Sequence, residues 1–154
     1  LGVIKDDASV QAMSRTGDPK EILRGPLYYG IMFVVLTLVY WKDSPIGIIA
    51  LMMMCGGDGI ADIVGRRFVS AKLPWSKEKS IAGTLGVFLG GFTMSIVIIY
   101  IFVAMKVFAG VFTSYLLPIA GIAFAGALVE SLHYKDIDNI SMTLASALLG
   151  HWFF

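Results

Sequence analysis

The chain is poor in charge. Of its 154 residues, 15% are Asp, Glu, Lys or Arg, while 57% are hydrophobic. A soluble domain typically carries about 25% charged and about 45–50% apolar residues, so a water-soluble globule is a poor fit and a membrane protein a good one. The formal net charge is only +1, and no global field attracts nucleic acid; none is expected as a partner. Cys55 is the single cysteine, which excludes an internal disulfide and any multi-cysteine metal site. There is no GxxxxGK[ST] loop, so the ordinary nucleotide-binding P-loop is excluded, as is the protein-kinase glycine loop. No signal-peptide pattern opens the sequence, which begins with Leu1 rather than Met; the start of a longer protein is expected to precede it.

Long apolar runs are abundant. After a polar segment, residues 1–25, come Pro26–Trp41, Pro45–Gly57, Ala82–Met105, Gly110–Val129 and Ile140–Phe154. About 20 apolar residues cross a bilayer as a helix, and a single segment satisfies its backbone in lipid only as a helix. The third and fourth runs qualify outright. The first and last are borderline, and the second is too short unless it continues through charged residues to Gly65. The expected fold is a single all-α domain: a polytopic helix bundle (26–154) of about five spans, with a polar site at one membrane face. Small residues at Gly86, Gly90, Gly91, Gly121, Ala125 and Gly126 would let helices approach closely.

If all five runs span, the N-terminal segment, the Arg66–Ser80 loop and the Glu130–Asn139 loop share one side. That side holds ten of the twelve Lys/Arg and ten of the eleven Asp/Glu. The basic bias puts it in the cytoplasm or an equivalent compartment such as a stroma. The acids gathered there suggest that three polar segments meet.

The sharpest motif is "GGDGIADIVGRRF", Gly56 to Phe68. On a helix, Asp58 and Asp62 share a face, with Gly65 and Arg66 a turn further on. Two carboxylates suit Mg²⁺, which usually takes one or two of them plus substrate phosphates. Gly56, Gly57, Gly59 and Gly65 permit close approach of backbone or ligand, and Arg66 and Arg67 suit bidentate phosphate binding. The plainer alternative is that both aspartates merely pair with the arginines at a membrane boundary. The next segment, "LPWSKEKSIAGT", offers Lys77 and Lys79, then Ser80, Gly83 and Thr84 opening an apolar helix. Lysines and a helix N-terminus attract anions, although a basic loop can also be an ordinary positive-inside anchor. Together the two segments describe a metal–nucleotide site at a bilayer surface.

The paired stretches "GDGIADIVGRRF" and "LPWSKEKSIAGTLGVF" resemble the polyprenol kinase family, in particular its phytol kinase and farnesol kinase branch; dolichol kinases and CTP-dependent diacylglycerol kinases are more distantly similar. "SRTGDPKEILRGPLYYG", "DSPIGI" and "DNISM" extend the resemblance over most of the chain, although relatives more often carry a "DNLTVPL"-like stretch at the end. The resemblance implies phosphorylation of a membrane isoprenoid alcohol such as phytol, farnesol or geranylgeraniol by CTP or another nucleoside triphosphate. It also implies a divalent metal, a plastid or cyanobacterial membrane, and further N-terminal spans. Asp58, Asp62 and Lys79 would then be catalytic, the aspartates holding metal or one accepting the hydroxyl proton. Gly59, Gly65, Arg66, Arg67, Lys77, Ser80, Gly83, Thr84 and Asn139 would bind nucleotide or phosphate, and Asp138 would join the metal ligands. The rival expectations are a cytidylyltransferase acting on phosphatidate or prenyl phosphate, and a small transporter using the aspartates. Glu130, Asp136 and His133 read as loop residues, Arg15, Asp18, Lys20 and Arg24 as solvated ones. Tyr28, Tyr29, Tyr40 and Trp41 read as interfacial aromatics, and Met52–Met54 and Cys55 as packing.

Overall fold

The computed structural model describes residues 19–132 and 137–154, with backbone alone for 19–26. Arg15, Asp18, His133 and Asp136, and the side chains of Lys20 and Arg24, lie outside the described residues. Among the described residues five helices follow one another: α1 Pro19–Tyr40, α2 Pro45–Arg67, α3 Ile81–Ala104, α4 Thr113–Ser131 and α5 Asp138–Phe153. The architecture is that of an all-α membrane bundle. Three helices, α2, α3 and α4, are long and apolar enough to cross a membrane. In the first helix the fully described stretch, Leu27–Tyr40, is apolar, and α5 is 16 residues long. "PKEILR" forms the opening of α1.

Helix α2 resolves the doubt over the second apolar run, because it continues straight through the charged motif. Ser44 caps it by accepting from the Ile46 N–H, and Pro45 occupies the first helical position, where its missing N–H costs nothing. Residues Met53–Asp58 wind as a π-helical turn before the α-helix resumes at Gly59. A π turn holds one extra residue and disturbs the regular bonding ladder. Here Tyr29 of α1 donates its hydroxyl to the Met54 carbonyl at 2.6 Å. Tyr29 is therefore an interhelix link.

The bundle is organised around α2. On one side Ile46, Ala50 and Met54 pack with Met32 and Leu36 of α1 and Ala147 of α5. On the other, Ile49 and Met53 pack with Val87 and Ile99 of α3, Ile122 of α4 and Met142 of α5. Met53 and Met54 are fully buried. The glycines explain how the helices meet. A methyl group added at Gly86 would lie 2.8 Å from the Ala61 Cα, and one at Gly57 would lie 3.1 Å from the Val87 carbonyl oxygen. Helices without a hydrophobic drive between them associate through such close packing. Two buried hydroxyls of α5 turn back on their own helix: Thr143 donates to the Asn139 carbonyl and Ser146 to that of Met142. The outer faces carry exposed Val34, Leu38, Leu85, Leu89, Leu117, Phe124 and Leu148, an apolar girdle that a water-soluble monomer rarely shows.

The polar segment between α2 and α3 departs from the all-helical expectation. It forms a small antiparallel hairpin, β1 Lys72–Leu73 and β2 Ser76–Ser80, with Lys72 opposite Ser80 and Leu73 opposite Ser76. Pro74 and Trp75 make the turn.

Candidate active site at one end of the bundle

Three polar stretches far apart in sequence converge: Asp58 at the π turn of α2, Lys79 on β2, and Glu130 to Asn139 where α4 ends and α5 begins. Lys79 is the hub. From strand β2 its Nζ donates to Asp138 Oδ2 at 2.9 Å and to Glu130 Oε1. All three side chains are largely shielded, with 17% of Lys79, 6% of Glu130 and 20% of Asp138 exposed. Burial works against the ammonium form of Lys79. The hydrogen bonds and negative charges of Glu130 and Asp138 outweigh it, and the pKa lies above the ordinary lysine value. The next residue, Asn139, sends its Nδ2 to Asp58 Oδ2 over a long 3.4 Å, which brings α2 into the same cluster. The hairpin is pinned beside it by Trp75, whose Nε1 donates to Ser131 Oγ at 3.1 Å.

Of the residues singled out by sequence, the structure thus joins Asp58, Lys79, Asp138 and Asn139. Asp62, one turn beyond Asp58, accepts from Arg66 Nε at 2.9 Å in a half-exposed i,i+4 pair. That contact is the plain surface pairing weighed above, and it occupies Arg66. Arg67 and Lys77 are exposed. Gly59 has open space around its Cα, whereas a Cβ at Gly65 would touch the Gly83 Cα at 3.7 Å, where α2 leaves α3.

The N-terminus of α3 is closed by the protein itself. Ile81 donates to the Ala71 carbonyl, Ala82 to Ser70 Oγ and Gly83 to Ser80 Oγ. Ser80 is a cap, and an anion at Gly83 would have to displace that cap. Thr84 Oγ1 is buried without a hydrogen-bond partner among the described residues. Asp138 is no helix cap: it stands inside the first turn of α5, after Ile137.

Glu130 is the residue to which sequence reasoning gave too little weight. It sits one residue from the end of α4, 5% exposed, and its Oε2 has no hydrogen-bond partner among the described residues. The available signal was its place at the end of an apolar run, where an ionisable residue is costly and calls for a partner.

Among the described residues no three Asp, Glu, His or Cys side chains form a ready-made metal site. The oxygens that do gather, from Asp58, Asp138, Glu130 and Asn139, are hard donors of the kind Mg²⁺ accepts. Among the described residues, the carboxylates of Asp58, Glu130 and Asp138 gather around the ammonium of Lys79 and the amide of Asn139.

The chain is similar along its whole length to chloroplastic proteins of plants. It is 44% identical over 156 residues to "Probable phytol kinase 1, chloroplastic" of Oryza sativa subsp. japonica, covering 100% of this chain and 50% of the relative. It is 43% identical over 159 residues to "Farnesol kinase, chloroplastic" of Arabidopsis thaliana, again 100% and 50%. It is 37% identical over 153 residues to "Phytol kinase 1, chloroplastic" of Arabidopsis thaliana, covering 98% of this chain and 50% of the relative. The chain spans about half the length of the curated relatives that it matches. No model of a known protein family matches it, and no solved structure does.

Proposed function

We propose that this chain, a homologue of the phytol and farnesol kinases from end to end, contains the phosphotransfer site of a kinase for membrane isoprenoid alcohols. The single observation that carries the proposal is the convergence of Asp58, Lys79, Asp138 and Asn139 at one end of an apolar bundle. The two substrates occupy different phases. An isoprenoid tail belongs in lipid and a nucleotide in water, so a site uniting them belongs at the end of a spanning helix.

In the proposed reaction the alcohol oxygen attacks the terminal phosphorus of a nucleoside triphosphate, CTP by the resemblance, and a nucleoside diphosphate leaves. Positioning and charge neutralisation dominate such a transfer. Asp58 and Asp138 would hold Mg²⁺, with Asp62 available a turn away; the ion supplies neutralisation of phosphate charge. Lys79 is held at the junction as a fixed cation and can meet the transferring group. Asn139 orients Asp58. Arg67 and Lys77, exposed at the rim, reach the outer phosphates, and Arg66 does so by leaving Asp62. The apolar flanks of α3 and α4 are open to the lipid-borne tail. The setting is a plastid membrane, as the relatives' names suggest, and the site faces the compartment that holds the nucleotide.

The test is to incubate purified protein with Mg²⁺, each of four labelled nucleoside triphosphates in turn, and alcohols of C15 to C20. The expected products are the alcohol monophosphate and a nucleoside diphosphate. Release of pyrophosphate with a cytidylyl lipid would replace the kinase by a cytidylyltransferase. Proton-linked flux in liposomes without nucleotide would favour a transporter.

A further inference from the structure

We infer that Glu130 is a positioning residue that holds Lys79 in the orientation the phosphotransfer site uses; the inference rests on the kinase reading above. Glu130 is the most deeply placed member of the junction, less exposed than either Lys79 or Asp138. Its contact in the site is with Lys79, through Oε1, and its Oε2 has no hydrogen-bond partner among the described residues. A carboxylate at the end of a spanning helix is costly unless it is paired. Lys79 only partly offsets that cost, because its ammonium is shared with Asp138.

The geometry gives Glu130 a mechanical task. Lys79 stands near the end of a five-residue strand whose only strand partner in the hairpin is two residues long, and an isolated two-stranded hairpin is marginal at best. A lysine on such a support has a long, flexible stem with many accessible rotamers. Two carboxylates from two different helices, Glu130 on α4 and Asp138 on α5, restrict it to one direction. Asp138 is also a proposed metal ligand, and nucleotide binding would draw its charge elsewhere. Glu130, set deeper, would remain as the permanent partner of Lys79.

The experiment has two arms. In the first, steady-state kinetics compare the native protein with Glu130→Gln, Glu130→Asp, Lys79→Met and the double variant Glu130→Gln/Lys79→Met. Glu130→Gln is expected to lower kcat/KM for nucleotide at least ~10-fold while the KM for alcohol moves less than ~2-fold. Glu130→Asp, which keeps the charge, should recover part of the loss. The double variant should be no worse than Lys79→Met alone, because residues that act as a unit are not additive. Losses that multiply in the double variant would overturn the inference.

The second arm needs no turnover, so a failure of the kinase reading leaves it intact. Acylation of lysines by an N-hydroxysuccinimide ester is followed residue by residue by mass spectrometry, on protein shown to be folded by gel filtration. Lys79 should label more slowly than the exposed Lys72 and Lys77 in the native protein. In Glu130→Gln, or in Glu130→Asp if the glutamine variant does not fold, its rate should rise toward theirs. An unchanged Lys79 rate would show that Glu130 does not hold it.

Discussion

Lys79 Nζ and Asp138 Oδ2 lie 2.9 Å apart, joining residues 59 positions distant in the chain. Asp138→Asn tests whether that bond serves more than folding. The change keeps the shape but removes a charge from Lys79. Turnover should fall at least ~10-fold, equivalent to about 1.4 kcal/mol of barrier. Thermal stability should fall by only about 1–3 kcal/mol, since Glu130 still pairs with the lysine. Native turnover would return Asp138 to a purely structural role.

Lys79→Met and Arg66→Ala should separate a buried cation from an exposed one. The first leaves Glu130 in the bundle without its partner, at a cost of about 3–5 kcal/mol. The second breaks a pair whose arginine side chain is 69% exposed, worth about 0–1 kcal/mol. Melting curves in one detergent decide between these. Equal losses would mean that the junction is not the buried ionic centre described.

Asp58→Asn should lower turnover strongly to a residual rate and Asp62→Asn should lower it less, because Asp58 meets Asn139 at the junction whereas Asp62 meets Arg66 at its edge. Titration of activity with Mg²⁺ is the informative measurement. A higher metal requirement in both variants supports carboxylates that share an ion. An unchanged requirement in both would detach the metal from α2.

Gly86→Ala should destabilise the bundle by about 1–3 kcal/mol, because the new methyl group meets helix backbone at Ala61. Gly30→Ala, where nothing lies within 4 Å, should be neutral or stabilising by about 0.5–1 kcal/mol, the helix-propensity gain of alanine. The reverse order would contradict the packing of α2 against α3.

The elevated Lys79 pKa has a definite sign. A group raised on folding contributes stability that is complete below its unfolded pKa and is lost as pH rises through the folded one. The stability difference between native protein and Lys79→Met should therefore be level from about pH 6 to about pH 9 and shrink only above the ordinary lysine range. A decline near neutrality would mean that Lys79 is less firmly paired than its contacts imply.

Much of this arrangement was legible in the sequence. The apolar runs foretold the helices, and the one-sided crowding of charge foretold that the Arg66–Ser80 and Glu130–Asn139 segments meet; the N-terminal segment of that expectation lies outside the described residues. The glycines at 86, 90 and 91 marked the seam where α3 meets α2. Other features were not legible. Periodicity cannot announce a π turn, because the extra residue in Met53–Asp58 depends on packing against α3 and on Tyr29. The hairpin was hidden because Ser76–Ser80 is charged and too short to show alternation. Glu130 looked like the start of a loop because its partner, Lys79, lies 51 residues away in the chain.

The π turn in α2 has a consequence for how the chain tolerates change. One extra residue shifts the angular phase of everything after it by about 100° without adding a full turn of length. The half of α2 before the turn is buried among α1, α3 and α5, while the last residue of the turn, Asp58, points toward Asn139 and the half after it sets Ala61 against Gly86. Those two azimuths are set separately, so α2 behaves as two coaxial cams on one shaft. Deleting a single residue at Gly56 or Gly57 would leave a helix regular by every local rule and greasy enough to insert, yet it would rotate its charged half out of time with α5.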